Sequence, residues 1–413
     1  MANKGNSLNF MKILHCVHLE IPAGKENRLY HLLKAEAERD DGLEHEILHT
    51  GDKIHEKFRT FLQENYNVYE YKTFKGIRIP KFIRPYFLQR RITLSHDVNL
   101  FYEIQDMQLM NLFAHSAKGG KVFYDGGHSW FLNPEESIWL NKFNFFFSNT
   151  NASKVMLNKR WHVPEERIRV IYNSYLPEYV EKINRVDTKD IKNLREKYKL
   201  GSAKVVLYVG RFITLKGIHS LIEALDYLPE GEDIRLVLVG DGKMGKQLGK
   251  MIQKKKKENQ VVFAGMQIDT APFYRMADVT VVPSAREPFG NVNLEAALAG
   301  SPIIASRIDG IPEIIPDDGF GYLLKPTIEP SRYPYLETSS MPDYVVDPDT
   351  QELTRPKFLD PEELAGTISL VLEKEKGKAK EKAARLKERV KREFSTEKRG
   401  ERFRELVAEI TRS

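Results

Sequence analysis

Residues 277–305 read as one strand–loop–helix–strand unit, and that unit decides the fold class. Ala277-Asp278-Val279-Thr280-Val281-Val282 is a short β-branched run with the composition of a buried strand. Pro283 and Ser284 end it, and Glu287-Pro288-Phe289-Gly290-Asn291 is a loop with Pro and Gly as breakers. Residues 293–299 then read as a helix closed by Gly300 and Pro302, and Pro302-Ile303-Ile304-Ala305 is the next strand.

The loop carries two acids, Glu287 and Glu295, placed at the carboxyl end of a strand and the start of the following helix. In an open α/β sheet that edge is where ligands bind. A carboxylate there accepts hydrogen bonds from paired hydroxyls of a polyol, and helix-start amides suit an anion or a sugar hydroxyl. The same two acids also fit a plainer role, complementing the helix dipole.

The layout repeats in both halves of the chain. Residues 11–17 form a first strand, Pro22-Ala23-Gly24-Lys25 a turn, 27–39 a helix, and 46–50 the start of a second strand. That β-α-β opening predicts a parallel sheet with a helical crossover. Further strands are expected at 97–102, 121–124, 144–148 and 169–172. Residues 180–200 read as a charged helical bridge. Strands at 204–209, 235–239 and 261–264 then alternate with helices, giving a second doubly wound domain. Residues 327–358 show no periodicity and read as an insertion or long loop. Helices are expected at 361–372, 378–393 and 397–410.

Gly210-Arg211-Phe212-Ile213-Thr214-Leu215-Lys216-Gly217 follows a strand and opens a helix. Arg211 offers a planar fork and Lys216 a point charge, a combination suited to a diphosphate. Gly240-Asp241-Gly242-Lys243-Met244-Gly245 is a G-x-G-x-x-G between strand and helix, so an NAD-type oxidoreductase is the rival enzyme reading. Against it, the next strand ends in Gly265, with no acid placed for a ribose. His128 follows a strand and two glycines, where an imidazole can meet a sugar or simply face solvent. His15 and His18 lie at the end of the first strand. No His or Cys spacing points to a metal, and Asp347-Pro348-Asp349 falls in the irregular insertion.

E-P-F-G-N-V-N-L-E, residues 287–295, resembles the E-x7-E signature of retaining GT-B glycosyltransferases of the family 4 type, the glycosyl transferases of group 1. Gly300-Ser301-Pro302-Ile303-Ile304-Ala305, Gly310-Ile311-Pro312-Glu313 and the G-R-x(4)-K-G loop are similar to that family's further motifs. The resemblance implies two Rossmann-like domains facing across a cleft. Residues 1–176 would bind the acceptor and 177–393 the nucleotide sugar, with 394–413 a helix crossing back to the first domain. It implies transfer of a sugar from a UDP- or GDP-sugar to an acceptor hydroxyl with retention and without a metal or other cofactor. Arg211 and Lys216 would hold the diphosphate, Glu287 and His128 the sugar, and Glu295 the ribose. Backbone at Gly24, Gly210, Gly240, Gly242, Phe289, Gly290 and Asn291 would line the donor site. A non-catalytic GT-B-like binding protein would be expected to lack these side chains.

One cysteine, Cys16, excludes a disulfide framework and a thiolate metal cluster, and fits a reducing cytoplasm. No apolar run reaches the length of a membrane span, and residues 1–10 lack a signal-peptide core. Lys254-Lys255-Lys256-Lys257 has no interleaved aromatics and reads as a solvated helix face, not a nucleic-acid site. Residues 72–91 differ: Lys72, Lys75, Arg78, Lys81, Arg84, Arg90 and Arg91 are interleaved with large apolar groups, without one acid. That mixture suits an anionic lipid surface, and with it peripheral attachment at the inner face of the cell membrane and a lipid-linked acceptor. A soluble acidic glycan or a partner protein is the alternative.

Overall fold

Short apolar runs such as Val205-Val206-Leu207-Tyr208-Val209 leave no polar face for water, which is the pattern of parallel strands covered on both sides. The computed structural model describes residues 11–412 apart from 22–23, 38, 40–41, 103–106 and 339. Residues 1–10 and the Pro22-Ala23 part of the expected turn lie outside them. The chain forms two compact units.

The first unit holds strands β1 (Met11–Val17), β2 (Leu43–His49) and β3 (Asn67–Glu70), then a hairpin of β4 (Thr73–Phe74) and β5 (Ile77–Arg78). Next come β6 (Val98–Phe101), β7 (Gly120–Asp125), β8 (Phe145–Ser148) and β9 (Ile168–Val170). Seven of them form one sheet in the order β3-β2-β1-β6-β7-β8-β9, and every pair is parallel. The strand order reverses between β1 and β6. The terminal helix, Thr396–Arg412, completes this unit: Phe403, Leu406, Val407 and Ile410 join Ile13, Leu32 and Leu100 in its core. Arg404 pairs with Glu36 at 2.8 Å, and Arg399 donates to the Arg28 carbonyl at 2.8 Å.

The second unit holds β10 (Lys204–Val209), β11 (Ile234–Val239), β12 (Val261–Gly265), β13 (Val279–Val282), β14 (Ile303–Ser306) and β15 (Tyr322–Leu324). They form a six-stranded sheet in the order β12-β11-β10-β13-β14-β15, again all parallel, which reverses between β10 and β13. Both sheets are doubly wound and Rossmann-like. Among the described residues, no helix is long and apolar enough to cross a membrane.

The observed units shift the expected boundaries by two residues, to Tyr175 and Thr396, and interrupt the first stretch once. Residues 150–160 belong with the second unit, and 161–174 return to the first. The cause is a helix cap. The Glu313 carboxylate accepts the backbone N–H groups of Asn151 at 2.9 Å and Ala152 at 3.1 Å, satisfying the first turn of the helix Asn151–Val155. Arg160 adds an ion pair to Asp343 at 2.8 Å.

The expected bridge over 180–200 is two helices, Pro177–Arg185 and Thr188–Lys197, because Asp187 caps the second one. The helix expected at 27–39 runs over Gly24–Glu36. Residues 327–358, expected as an insertion or long loop, carry a strand pair and core contacts of their own. Both ends are pinned by Ile328 and Phe358, which exchange backbone hydrogen bonds of 2.8 and 2.9 Å. Strands β16 (Val345–Asp347) and β17 (Glu352–Thr354) pair antiparallel within it. Tyr333, Leu336 and Phe358 join the core of the second unit. Asp347 and Asp349 are taken up in ion pairs with Lys325 and Arg307.

Candidate functional site

The reversal between β10 and β13 places two βα loops side by side at the carboxyl edge of the second sheet. From β10 the chain runs into Gly210, Arg211 and Lys216; from β13 it runs into Ser284 and Glu287. A crevice outside such a reversal is the general ligand position of open α/β sheets. The two loops are tied together. Gly217 has φ +63, and a Cβ there would lie 2.0 Å from the Pro283 carbonyl oxygen, so only glycine permits this approach. The Ala285 N–H donates to the Leu215 carbonyl at 2.9 Å.

The result is an ion pair between Lys216 and Glu287, both mostly buried. The Ser284 hydroxyl donates to the same carboxylate oxygen at 3.3 Å. Lys216 is thus one half of an ion pair whose acid lies 71 residues away in the sequence. Arg211 lies on the same loop with its side chain exposed. Its carbonyl accepts the buried Tyr208 hydroxyl at 2.9 Å, which fixes the loop at the strand end.

Sequence reasoning missed the group behind Glu287. The Asp309 carboxylate accepts the Glu287 N–H at 2.9 Å and the Val346 N–H at 2.7 Å. Asp309 is buried and has φ +46, a left-handed backbone that Asp tolerates better than most residues. Burial pushes its carboxyl up to about 6, although both N–H bonds and Arg286 oppose the shift. Through Asp309 the 327–358 segment supports the Glu287 loop. Through Thr214, whose hydroxyl donates to the Glu337 carbonyl at 2.9 Å, it supports the Lys216 loop as well. A lone Asp before Gly310 gives no periodic signal from which this role could be read.

Glu295 lies in the helix Asn291–Ala299, which Gly290 starts with φ +91. Its carboxylate accepts the buried Tyr274 hydroxyl at 3.1 Å. Burial raises its carboxyl to about 7, with the bonds from Tyr274 and Thr270 pulling the other way. Phe289 is buried edge-on against Phe394, with ring centroids 5.8 Å apart, and Asn291 is exposed.

The remaining glycines act by packing. A Cβ on Gly240 would meet the Gly210 carbonyl oxygen at 1.9 Å, and one on Gly242 the Phe212 backbone at 2.5 Å. Their N–H groups are already used: Gly210 on Val239 at 3.0 Å, Gly240 on Gly265 at 2.9 Å, and Gly242 on the Asp241 carboxylate at 2.7 Å. These bonds and contacts seat the G-x-G-x-x-G of the β11 loop on the β10 loop. It also follows β11, one strand away from the reversal, where a dinucleotide fold would not put it.

In the first unit, His128 stands just beyond the carboxyl end of β7. The loop around it is organised by buried Asp125, which accepts the N–H groups of Gly127 at 2.9 Å and Ser129 at 3.1 Å. Gly24 opens its helix beyond β1, and a Cβ there would meet nothing within 4 Å, so no packing demand explains it. His15 is a core residue. Its Nδ1 is 3.1 Å from the Tyr102 hydroxyl and its Nε2 is 2.9 Å from His45, and burial holds its pKa well below the ordinary range. His18 pairs with Glu20 at 3.0 Å. In the lysine run, Lys255 pairs with Asp226, and Lys257 donates to the Leu225 carbonyl at 3.0 Å.

Residues 190–333, about a third of the chain, match the family model of the glycosyl transferases group 1. An uncharacterized glycosyltransferase of Methanocaldococcus jannaschii is 36% identical over 168 residues, 40% of this chain and 43% of that protein. The lipopolysaccharide core biosynthesis glycosyltransferase LpsE of Rhizobium meliloti is 43% identical over 108 residues, 26% of this chain and 31% of that protein. N-acetyl-alpha-D-glucosaminyl L-malate synthase of Bacillus anthracis is 30% identical over 177 residues, 42% of this chain and 45% of that protein. The matched segment thus spans less than half the length of these relatives. Among solved structures, Anabaena HepE in complex with UDP and glucose has a TM-score of 0.71 at 20% identity, covering 97% of this chain and all of that one. WaaG, a glycosyltransferase involved in lipopolysaccharide biosynthesis, has a TM-score of 0.61 at 15% identity, covering 94% of this chain and 98% of that one. The chain has the two-sheet GT-B fold, and its residues 190–333 are similar to the glycosyl transferases group 1.

Proposed function

We propose that this protein is a retaining glycosyltransferase that moves a hexose from a UDP- or GDP-sugar to the hydroxyl of a lipid-linked or membrane-embedded acceptor. One observation carries the reading: Lys216 and Glu287 pair at the strand reversal of the second sheet, with Arg211 on the Lys216 loop and Glu295 on the adjoining helix. In the reaction the bond from the anomeric carbon to the diphosphate oxygen breaks, and a bond to the acceptor oxygen forms on the same face. The acceptor proton passes to the leaving phosphate.

Arg211 and Lys216 stabilise the charge that develops on the diphosphate, the part a metal ion plays in other transferases. Glu287, held by Ser284 and Asp309, accepts hydrogen bonds from hydroxyls of the transferred sugar. Donor binding then shares Lys216 between Glu287 and the diphosphate. Glu295 accepts the ribose hydroxyls, and the helix start at Phe289, Gly290 and Asn291 adds its dipole. In the first unit, His128 and Gly24 follow strands β7 and β1 at the carboxyl edge of the sheet, where a ligand of an open α/β unit binds. The setting is glycolipid, lipid-linked glycan or cell-surface polysaccharide synthesis at the cytoplasmic face of the membrane. HepE in complex with UDP and glucose supports the donor class, and the lipopolysaccharide relatives support the setting.

The test is a transfer assay with a panel of UDP- and GDP-sugars in the presence of a chelator, reading product configuration by NMR. Transfer with the donor's own anomeric configuration is expected. Inversion, or an absolute need for a divalent cation, would overturn the mechanism.

A further inference from the structure

The acid-free stretch between Tyr71 and His96 folds into the β4–β5 hairpin, a short turn at Lys81–Ile83 and the helix Arg84–Arg91. The structure sorts its side chains into two sets. One set holds the scaffold. The buried Arg84 donates through Nε to the Ile79 carbonyl at 3.0 Å, and Arg91 donates to the Glu70 carbonyl at 3.0 Å. Arg91 also lies over the Phe74 ring, which packs on Phe87. These cations are spent internally, so counting every basic residue in the sequence overstates the surface charge.

The other set points to solvent. Ile77 is 75%, Phe82 81% and Tyr86 57% exposed, although each is apolar and belongs inside by composition. Lys75, Arg78, Lys81 and Arg90 are exposed among them. Among the described residues, Arg78 reaches the acid Asp52 at 3.5 Å, and Arg90 lies over the Tyr86 ring.

We propose that the tips of this hairpin–helix element, Ile77, Phe82 and Tyr86 ringed by Lys75, Arg78, Lys81 and Arg90, form a docking surface for an anionic lipid bilayer. The cations require an anionic partner. A soluble polyanion would satisfy them but offers no apolar phase for Ile77 and Phe82. An anionic bilayer supplies headgroup charge and an apolar interface within one layer. The rigid tethering of Arg84 and Arg91 keeps the apolar tips presented instead of letting them collapse onto the unit. The proposal rests on the lipid-acceptor part of the function above and names the surface that would bring the protein to such an acceptor.

The experiment is co-sedimentation of the full chain with vesicles of phosphatidylcholine alone or mixed with phosphatidylglycerol, at low and high salt, with no nucleotide or acceptor present. Pelleting is expected with the mixed vesicles at low salt and is expected to fall with salt. Lys81→Gln with Arg90→Gln should lower partitioning about thirtyfold, near fivefold per cation. Ile77→Ser with Phe82→Ser should lower it as well, without touching a charge. All four side chains are exposed, so the melting temperatures of both double variants should match that of the parent. Absence of binding, equal pelleting on both vesicle types, or retention by either double variant overturns the proposal. If the apolar variant still pellets and inorganic polyphosphate competes, the surface is a general polyanion site. Because no catalysis is measured, a negative result leaves the donor reading intact, and a failed transfer assay leaves this one intact.

Discussion

Replacing Lys216 with methionine is expected to lower kcat/KM for sugar transfer by about 10²- to 10³-fold, corresponding to roughly 2.7–4 kcal/mol of transition-state stabilisation. Lys216 is one of two cations on the β10 loop, and its ammonium already faces the carboxylate assigned to the sugar. The substitution removes a charge contact to the departing diphosphate and leaves Glu287 without its cation, held by Ser284 and by the backbone bond to Asp309. Lys216→Arg restores the charge in a bulkier, planar form and should recover only part of the rate. The readouts are kcat/KM and, separately, the melting temperature, because lost structure would mimic lost chemistry. A methionine variant with parental kcat/KM would remove Lys216 from the mechanism.

Phe403→Ala should strongly destabilise the first unit. Phe403 is buried in the first unit, with its ring 6.2 Å from that of His15, 6.1 Å from that of His45 and 6.3 Å from that of Phe147. Emptying such a site costs about 3–5 kcal/mol. It also loosens the terminal helix, whose further ties include Leu406, Val407 and Ile410 in the core, the Arg404–Glu36 pair and the Arg399 bond to Arg28. A chain of two units need not melt in one step, so the measurement is calorimetric. The transition of the first unit should fall by about 10 °C, at roughly 2–4 °C per kcal/mol for a unit of this size. An unchanged profile would mean that the helix is not part of that core.

Both sheets were legible in the sequence because parallel strands buried on both faces leave nearly unbroken apolar runs. Val205–Val209 and Val279–Val282 needed no tertiary information. The candidate acids and cations could be named from the sequence for a related reason: they lie in the loops and the helix that follow those strands, at the edge where the chain leaves the sheet. What stayed hidden depends on contacts between distant residues. Nothing near Thr150 signals that residues 150–160 join the second unit, because the cause is Glu313 capping that helix. Residues 327–358 gave no period because Tyr333, Leu336 and Phe358 are buried one at a time along an irregular path. Asp309 could not be ranked, since its two acceptor bonds run to Glu287 and Val346. In the 72–91 stretch the composition was visible, but not which arginines turn inward.

On the proposed function, the strand reversal of the second unit binds a nucleoside diphosphate through Arg211, Lys216 and Glu295. Calorimetric titration of UDP and GDP, with NAD as the rival ligand, tests it most directly. The pH dependence carries the assignment of Glu295. Burial raises its carboxyl from 4.5 to about 7. The stability contributed by the neutral buried acid is fully present below about 4.5 and is lost as pH rises through about 7. Ribose hydroxyls donate to the ionised form, so affinity moves the opposite way. It should rise about tenfold between pH 6 and pH 8, the change in the ionised fraction of a group titrating near 7. Glu295→Ala should weaken binding and remove that part of the slope. Binding of UDP or GDP, absent for NAD and flattened in pH by Glu295→Ala, is the predicted result. Tighter binding of NAD, or a nucleoside diphosphate affinity and pH slope unchanged in Glu295→Ala, would contradict it.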